Sequence, residues 1–263
     1  MEVEIPYYID YIPQLLPLSI HELASFTTKS LDDYIYNGMY PLIYQDHINP
    51  TKYYRDYTQT YIEREVRQLI NIKDLSLFQK FLKICAGRVG QLLNANNLNN
   101  EIGISNHTVE NWLSILEASF VIFRLHPYFE NLGKCIIKSS KLYFVDVGLA
   151  TYLLDIYSET QLARDPLRGG LVENLIITEA IKNIFNNGFE PSCYFYRDSN
   201  NHEIDLLFKI GNHLIPMEIK VSKTFNTQFL NGLQYFKKIA GERCTHLSPG
   251  SFSKIDQIHC FLL

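Results

Sequence analysis

With 263 residues, 46% of them hydrophobic and 13% aromatic, the chain can bury a sizeable core as one large domain or two modest ones. A net charge of −4 argues against a generally basic nucleic-acid coat but leaves room for a local basic surface. Five scattered cysteines, never in a Cys-x-x-Cys pair, indicate neither a disulfide framework nor a structural zinc site, and no apolar run is long enough to span a bilayer. The acidic start Met1-Glu2-Val3-Glu4 carries no basic leader, so a cytoplasmic protein without a membrane partner is expected.

Residues 1–50 are rich in tyrosine and proline. Ser19, with Glu22 three residues later, forms a capping-box pattern for a short helix, and Asn37-Gly38-Met39-Tyr40-Pro41 reads as a turn-rich loop. No separate core is evident, so this segment is expected to pack on the rest of the chain. Residues 51–160 read as helical, then as a winged helix. Tyr53 to Leu69 is a helix whose Glu63, Arg64, Glu65 and Arg67 form a charged face, and Asp74 caps a second helix with Leu77, Phe78, Phe81 and Leu82 as its stripe.

Between Asn97 and Leu113 the order is that of a helix-turn-helix. Gly103 stops one helix, Ser105 caps the next, and Val109, Trp112, Leu113 and Leu116 face inward. Phe120 to Leu125 and Leu142 to Val145 would be the wing strands. In a DNA reader the start of the second helix enters the major groove, presenting Asn106, His107, Thr108, Glu110 and Asn111. Asparagine reads adenine edges, whereas Glu110 opposes phosphate. Lys134, Lys138 and Lys141 offer the phosphate contacts. The alternative is a packing module that reads no sequence.

Gln161 to Gly170, with Pro166 and the Gly169-Gly170 pair, marks a domain boundary. Residues 161–263 then read as a helix over 171–186, a strand over 193–197, a hairpin, a helix from Phe225 to Lys238 and a last strand near 258–263. In the hairpin, a two-residue turn at Gly211-Asn212 pairs Ile210 with His213, puts Asp205 opposite Glu218 and turns Glu203 toward Lys220. Unbroken alternation groups Glu203, Asp205, Glu218 and Lys220 on one face and Ile204, Leu206 and Phe208 on the other. Opposed carboxylates with Cβ atoms roughly 5 Å apart destabilise a sheet unless neutralised. A divalent cation, Mg²⁺ or Mn²⁺, would do so, with Lys220 beside its water. A solvated, charged hairpin edge is the plainer alternative. Glu173 falls within the apolar arc of the 171–186 helix and needs a partner there, unless it is an ordinary first-turn glutamate, while Glu179 lies elsewhere on the wheel and reads as solvated.

Asp205 followed by Glu218-Ile219-Lys220 resembles the Asp...Glu-x-Lys signature of the PD-(D/E)XK nuclease superfamily, and Glu173 matches its preceding-helix glutamate. A wider set of segments resembles the C-terminal region of a large group of prokaryotic AAA+ superfamily ATPases. It includes Tyr61-Ile62-Glu63-Arg64, Gly90-Gln91-Leu92-Leu93-Asn94, Trp112 to Ser119, Pro127-Tyr128, Lys138 to Phe144, Asp146-Val147-Gly148-Leu149-Ala150 and Gly170 to Asn174. In that group an ATPase domain precedes a winged helix and a nuclease-like domain, and Leu16-Pro17-Leu18-Ser19 resembles the ATPase domain's end. No Gly-x-x-x-x-Gly-Lys-Ser/Thr phosphate loop occurs, so ATP binding is not expected, and the chain is either a fragment or the product of a gene encoding only this part.

The resemblance thus implies an α/β chain: an N-terminal helical and winged-helix part followed by a PD-(D/E)XK restriction-endonuclease-like domain. It implies a metal-dependent nuclease-like protein with DNA as partner, Asp205 and Glu218 as metal ligands, Lys220 beside the attacking water and Glu173 completing the acidic cluster. The alternative is a non-catalytic module that keeps the fold to bind DNA or a protein.

Overall fold

The computed structural model of the chain describes residues 16–62, 64, 75–129, 137–222 and 226–244, with the backbone alone at 258–262. Two short helices, α1 (Ile20–Leu23) and α2 (Leu31–Asn37), open with reciprocal capping boxes at Ser19/Glu22 and Ser30/Asp33. Proline stands in the first turn of α3 (Pro41–Gln45) and of α4 (Pro50–Tyr57), where its missing N–H costs nothing. The helix expected from Tyr53 starts earlier, at Pro50, and widens into a π turn over Thr58–Ile62. Glu63, Glu65, Arg67 and the cap Asp74 lie outside the described residues. Helix α5 (Leu75–Ala86) buries Phe78, Phe81 and Leu82, and both rings meet Trp112 edge-on.

Local capping chemistry builds the helix-turn-helix. Helix α6 (Ala95–Ile102) stops at Gly103, whose φ of +83° suits glycine, and Ser105 accepts the Thr108 N–H to start α7 (Asn106–Ala118). Val109, Trp112, Leu113 and Leu116 are buried. Strands β1 (Ile122–Leu125) and β2 (Lys141–Phe144) follow as an antiparallel pair, Ile122 opposite Phe144 and Leu125 opposite Lys141.

The core runs without a break from Leu23 through the helix-turn-helix to Leu175. Asp146 ties its parts together. It caps α8 (Val147–Leu153) by accepting the Leu149 N–H at 3.1 Å, and it also accepts the Met39 N–H at 2.7 Å and the Tyr54 hydroxyl at 2.6 Å. Gly148 lets the chains touch, since a Cβ there would lie 2.6 Å from Gly38 Cα. Short helix α9 (Glu159–Leu162) leads to α10 (Arg168–Asn186). There Asn174 clamps the buried backbone of Phe144, accepting its N–H at 2.7 Å and donating to its C=O at 2.8 Å.

Strands β3 (Cys193–Arg197), β4 (Glu203–Ile210), β5 (His213–Val221) and β6 (Ile258–Leu262) form one antiparallel sheet in that order. Helix α10 covers one face, with Ile177 and Ala180 against Leu206, Met217 and Ile219. Helix α11 (Asn231–Ala240) covers the other, with Leu233 and Phe236 against Ile204, Leu207 and Leu214. The helix expected from Phe225 instead begins as a 3₁₀ turn, Thr227–Leu230, because Asn226 caps Gln228; Phe225 itself lies outside the described residues. The segment after β1 joins the sheet edge, the Tyr128 N–H donating to Phe195 O at 2.8 Å and the Phe195 N–H to His126 O at 3.1 Å. This junction brings β2 to the mouth of the sheet. Among the described residues no helix is long and apolar enough to cross a membrane.

Candidate functional site at the parting of two strands

The Gly211-Asn212 turn sets the register its two residues imply, from Ile210 opposite His213 to Leu206 opposite Met217. One step further, where Asp205 would pair with Glu218, the ladder gives way. The Ile219 N–H donates to the Asp205 carboxylate (Oδ2) at 2.8 Å. On its other side β4 carries a bulge: Tyr194 to Tyr196 spans two steps of β3 while its partners, Leu207 to Ile204, span three of β4. A bulge re-aims side chains. Ile204 therefore packs under α11 and Leu206 under α10, rather than sharing a face as unbroken alternation requires.

Asp205 and Glu218 are buried, 7% and 4% exposed, and Lys220 spans them, its Nζ 2.6 Å from Glu218 Oε2 and 3.3 Å from Asp205 Oδ2. Glu203 does not face Lys220. It pairs with Lys141 at 2.6 Å and with Arg197 at 3.0 Å, a consequence of the bulge and of β2 lying alongside. Glu173 has its partners too: Lys141 at 3.0 Å and the Tyr143 hydroxyl at 2.6 Å, both on Oε1. The four carboxylates, Lys141 and Lys220 line an open cavity of about 450 Å³ together with His202, Gln228 and Gly232. A Cβ on Gly232 would lie 2.7 Å from Glu203 O, so only glycine lets α11 approach here.

Lys141 departs most from the sequence expectation. It is the first residue of β2, only 3% exposed, and its ammonium faces carboxylates and cannot reach phosphate from a wing. Lys138 is exposed, and Lys134 lies outside the described residues. Asn106, His107 and Asn111 are exposed on the first turns of α7, with Asn106 donating to Asn96 at 2.6 Å and Asn111 3.3 Å from His107. Glu110 is neutralised by Arg124 at 3.1 Å. Glu179, expected in solvent, is only 18% exposed and accepts the Ile20 N–H at 2.7 Å, because α1 packs against it.

Burial, and then the charge of Asp205, pushes the Glu218 carboxyl up to about 8 despite the hydrogen bond from Lys220. Burial also raises Glu173, against the pull of Lys141 and the Tyr143 hydroxyl. Burial works against a charged Lys141, yet Glu173, Glu203 and Asp205 outweigh it and hold the ammonium above the ordinary lysine value. Asp205 and Glu218 are thus two hard oxygen donors under mutual repulsion, which is the chemistry a divalent cation relieves. Among the described residues no group of three or more acidic, histidine or cysteine side chains forms a metal cage. A carboxylate pair still suits Mg²⁺, which keeps waters and leans on substrate oxygens.

Sequence reasoning missed a second constellation at the rim. Asp198, fully buried, accepts the Tyr235 hydroxyl at 2.7 Å and the His202 N–H at 3.0 Å, and His202 Nδ1 lies 3.0 Å from it. The His202 ring stacks on Tyr235 with centroids 3.6 Å apart. Its only local signal was an aspartate opening a turn.

A model for a domain of unknown function, DUF8612, matches residues 28–160, half of the chain. The chain belongs to the DUF8612 family. Beyond the DUF8612 region, a second domain of unknown function, DUF4143, matches residues 168–258, which carry Glu173, Asp205, Glu218 and Lys220. Uncharacterized proteins of Mycobacterium bovis and Mycobacterium tuberculosis are each 25% identical over 212 residues, covering 80% of this chain and 47% of theirs. An uncharacterized protein of Haemophilus influenzae is 22% identical over 179 residues, 66% of this chain and 41% of its own. The chain spans less than half the length of these curated relatives. No solved structure matches. The cavity draws on both regions: Gly90 and Lys141 come from the DUF8612 part, and the four carboxylates Glu173, Glu203, Asp205 and Glu218 from the DUF4143 part.

Proposed function

We propose that the cavity is a metal-dependent phosphodiesterase site acting on DNA. The observation that carries this reading is the buried pair Asp205 and Glu218 with Lys220 lying across both. The Asp...Glu-x-Lys resemblance to PD-(D/E)XK nucleases supports it. Asp205 and Glu218 would hold Mg²⁺ or Mn²⁺, which when bound supplies neutralising charge for a phosphodiester and lowers the pKa of water. Lys220, 35% exposed at the cavity, would bring its ammonium to the charge that builds up on phosphorus-bound oxygens. Asp205→Ala with Glu218→Ala should abolish both Mn²⁺ binding in calorimetry and cleavage of single-stranded, duplex and branched DNA. Binding unchanged in that double variant, or no cleavage by the wild type, would remove the reading.

The helix-turn-helix would hold DNA mainly through phosphate contacts, with Asn106, His107 and Asn111 toward the groove. Lys138→Ala is expected to weaken duplex binding and to flatten log Kd against log salt by about 0.9. Fluorescence anisotropy across a salt series reads both; an unchanged slope would remove Lys138 from the interface. The resemblance to the C-terminal region of prokaryotic AAA+ superfamily ATPases, with relatives about twice as long, supports a working context beside an ATPase domain.

A second reading, a non-catalytic module binding DNA or a protein, is favoured by one observation. Lys141, Lys220 and Arg197 already pair with the cluster's carboxylates.

A further inference from the structure

Lys141 reaches the acidic cluster from another part of the chain and is more deeply buried than any carboxylate it meets. Its Nζ lies 3.0 Å from Glu173, 2.6 Å from Glu203 and 3.9 Å from Asp205 Oδ1, and 5.7 Å above the Phe195 ring. The Tyr143 hydroxyl shares Glu173 Oε1, and Arg197 holds the second oxygen of Glu203 at 3.0 Å. Glu173 and Glu203 are thereby committed to protein cations. Asp205 also accepts the Ile219 N–H, but the nearest described cation to it, as to Glu218, is Lys220, whose side chain is 35% exposed and can swing on its flexible stem.

We infer that Lys141 is the resident cation of this site, standing where a second metal would stand, so that the chain takes one divalent ion, at Asp205 and Glu218. This rests on the phosphodiesterase reading and adds its metal count. Two-metal sites place their ions roughly 4 Å apart between shared carboxylates. Here the carboxylates beyond Asp205 and Glu218 close on an ammonium that has no solvent to retreat into. Removing it would leave Glu173 without a counter-charge and Glu203 with Arg197 alone, a deficit that a metal could make up. The β1–β2 hairpin is thus a structural part of the acidic site, and Lys141 is a positioning residue that holds Glu173 and Glu203 away from the metal.

Titration of the full chain with Mn²⁺, by calorimetry and by the electron paramagnetic signal of free Mn²⁺, tests this. The wild type should take one ion and Lys141→Met a second. Two ions on the wild type, none at all, or an unchanged count in a folded Lys141→Met would overturn the inference. If circular dichroism shows that Lys141→Met does not fold, Glu173→Gln with Glu203→Gln decides. Its count should stay at one with affinity little changed, whereas a loss of about tenfold or more would make these residues ligands. One bound Mn²⁺ without DNA cleavage would sink the phosphodiesterase reading and leave this inference standing. Cleavage with two bound ions would do the reverse.

Discussion

Lys220→Ala is expected to slow DNA cleavage by about 100-fold or more while Mn²⁺ still binds. The ammonium touches both carboxylates, at 2.6 Å and 3.3 Å, but a protonated lysine has no lone pair to offer a metal. Its contribution therefore lies in charge stabilisation rather than ligation. Its burial is incomplete, and Asp205 and Glu218 raise its pKa against the effect of that burial, so it stays a cation through the neutral range. Glu203 offers a control. Had it faced Lys220 it would hold that lysine away from substrate, but Lys141 and Arg197 occupy it instead. Glu203→Gln should accordingly slow cleavage less than Lys220→Ala. Single-turnover cleavage of labelled DNA, run beside Mn²⁺ calorimetry, separates the two. A Lys220→Ala protein that cuts as fast as the wild type would make the lysine structural.

Asp146→Ala should destabilise the fold by roughly 3–5 kcal/mol. Asp146 is 2% exposed and serves three donors on three separate segments: Met39, Tyr54 and Leu149. Burial raises its pKa while the Tyr54 hydroxyl and the Met39 N–H pull the other way. Alanine leaves the Met39 and Leu149 N–H groups without that acceptor, each at about 1–3 kcal/mol, while the Tyr54 hydroxyl keeps the Asn37 carbonyl. Glycine at 38 and 148 means that the segments meet backbone to backbone, so little can move in to compensate. Thermal unfolding followed by circular dichroism measures the loss, and a change under about 1 kcal/mol would show that water satisfies the freed groups. Because β2 runs directly into Asp146, the same variant should loosen Lys141 at the other end of that strand.

Features that rest on neighbouring residues were legible in the sequence. Gly103 and Ser105 bracket the helix-turn-helix by capping chemistry alone, and Gly211-Asn212 fixes the hairpin register as far as Leu206 opposite Met217, one step short of Asp205 and Glu218. Counting by twos fails at the bulge opposite Phe195, since an extra residue leaves no mark in the polar and apolar pattern. Lys141 escapes a sequence reading for a different reason. It lies 32 residues from Glu173, and they meet because the segment after β1 joins the edge of β3, a pairing that no local signal encodes. Glu179 reads as solvated because a helical wheel does not show α1 packed against it.

The most direct test of the metal assignment is an anomalous difference map from crystals of the full chain soaked in Mn²⁺. One peak is expected between Asp205 and Glu218, about 2.1 Å from their oxygens and away from Glu173. A well-ordered map with no peak there, or with the ion among Glu173 and Glu203 in place of the Lys141 ammonium, would contradict that assignment.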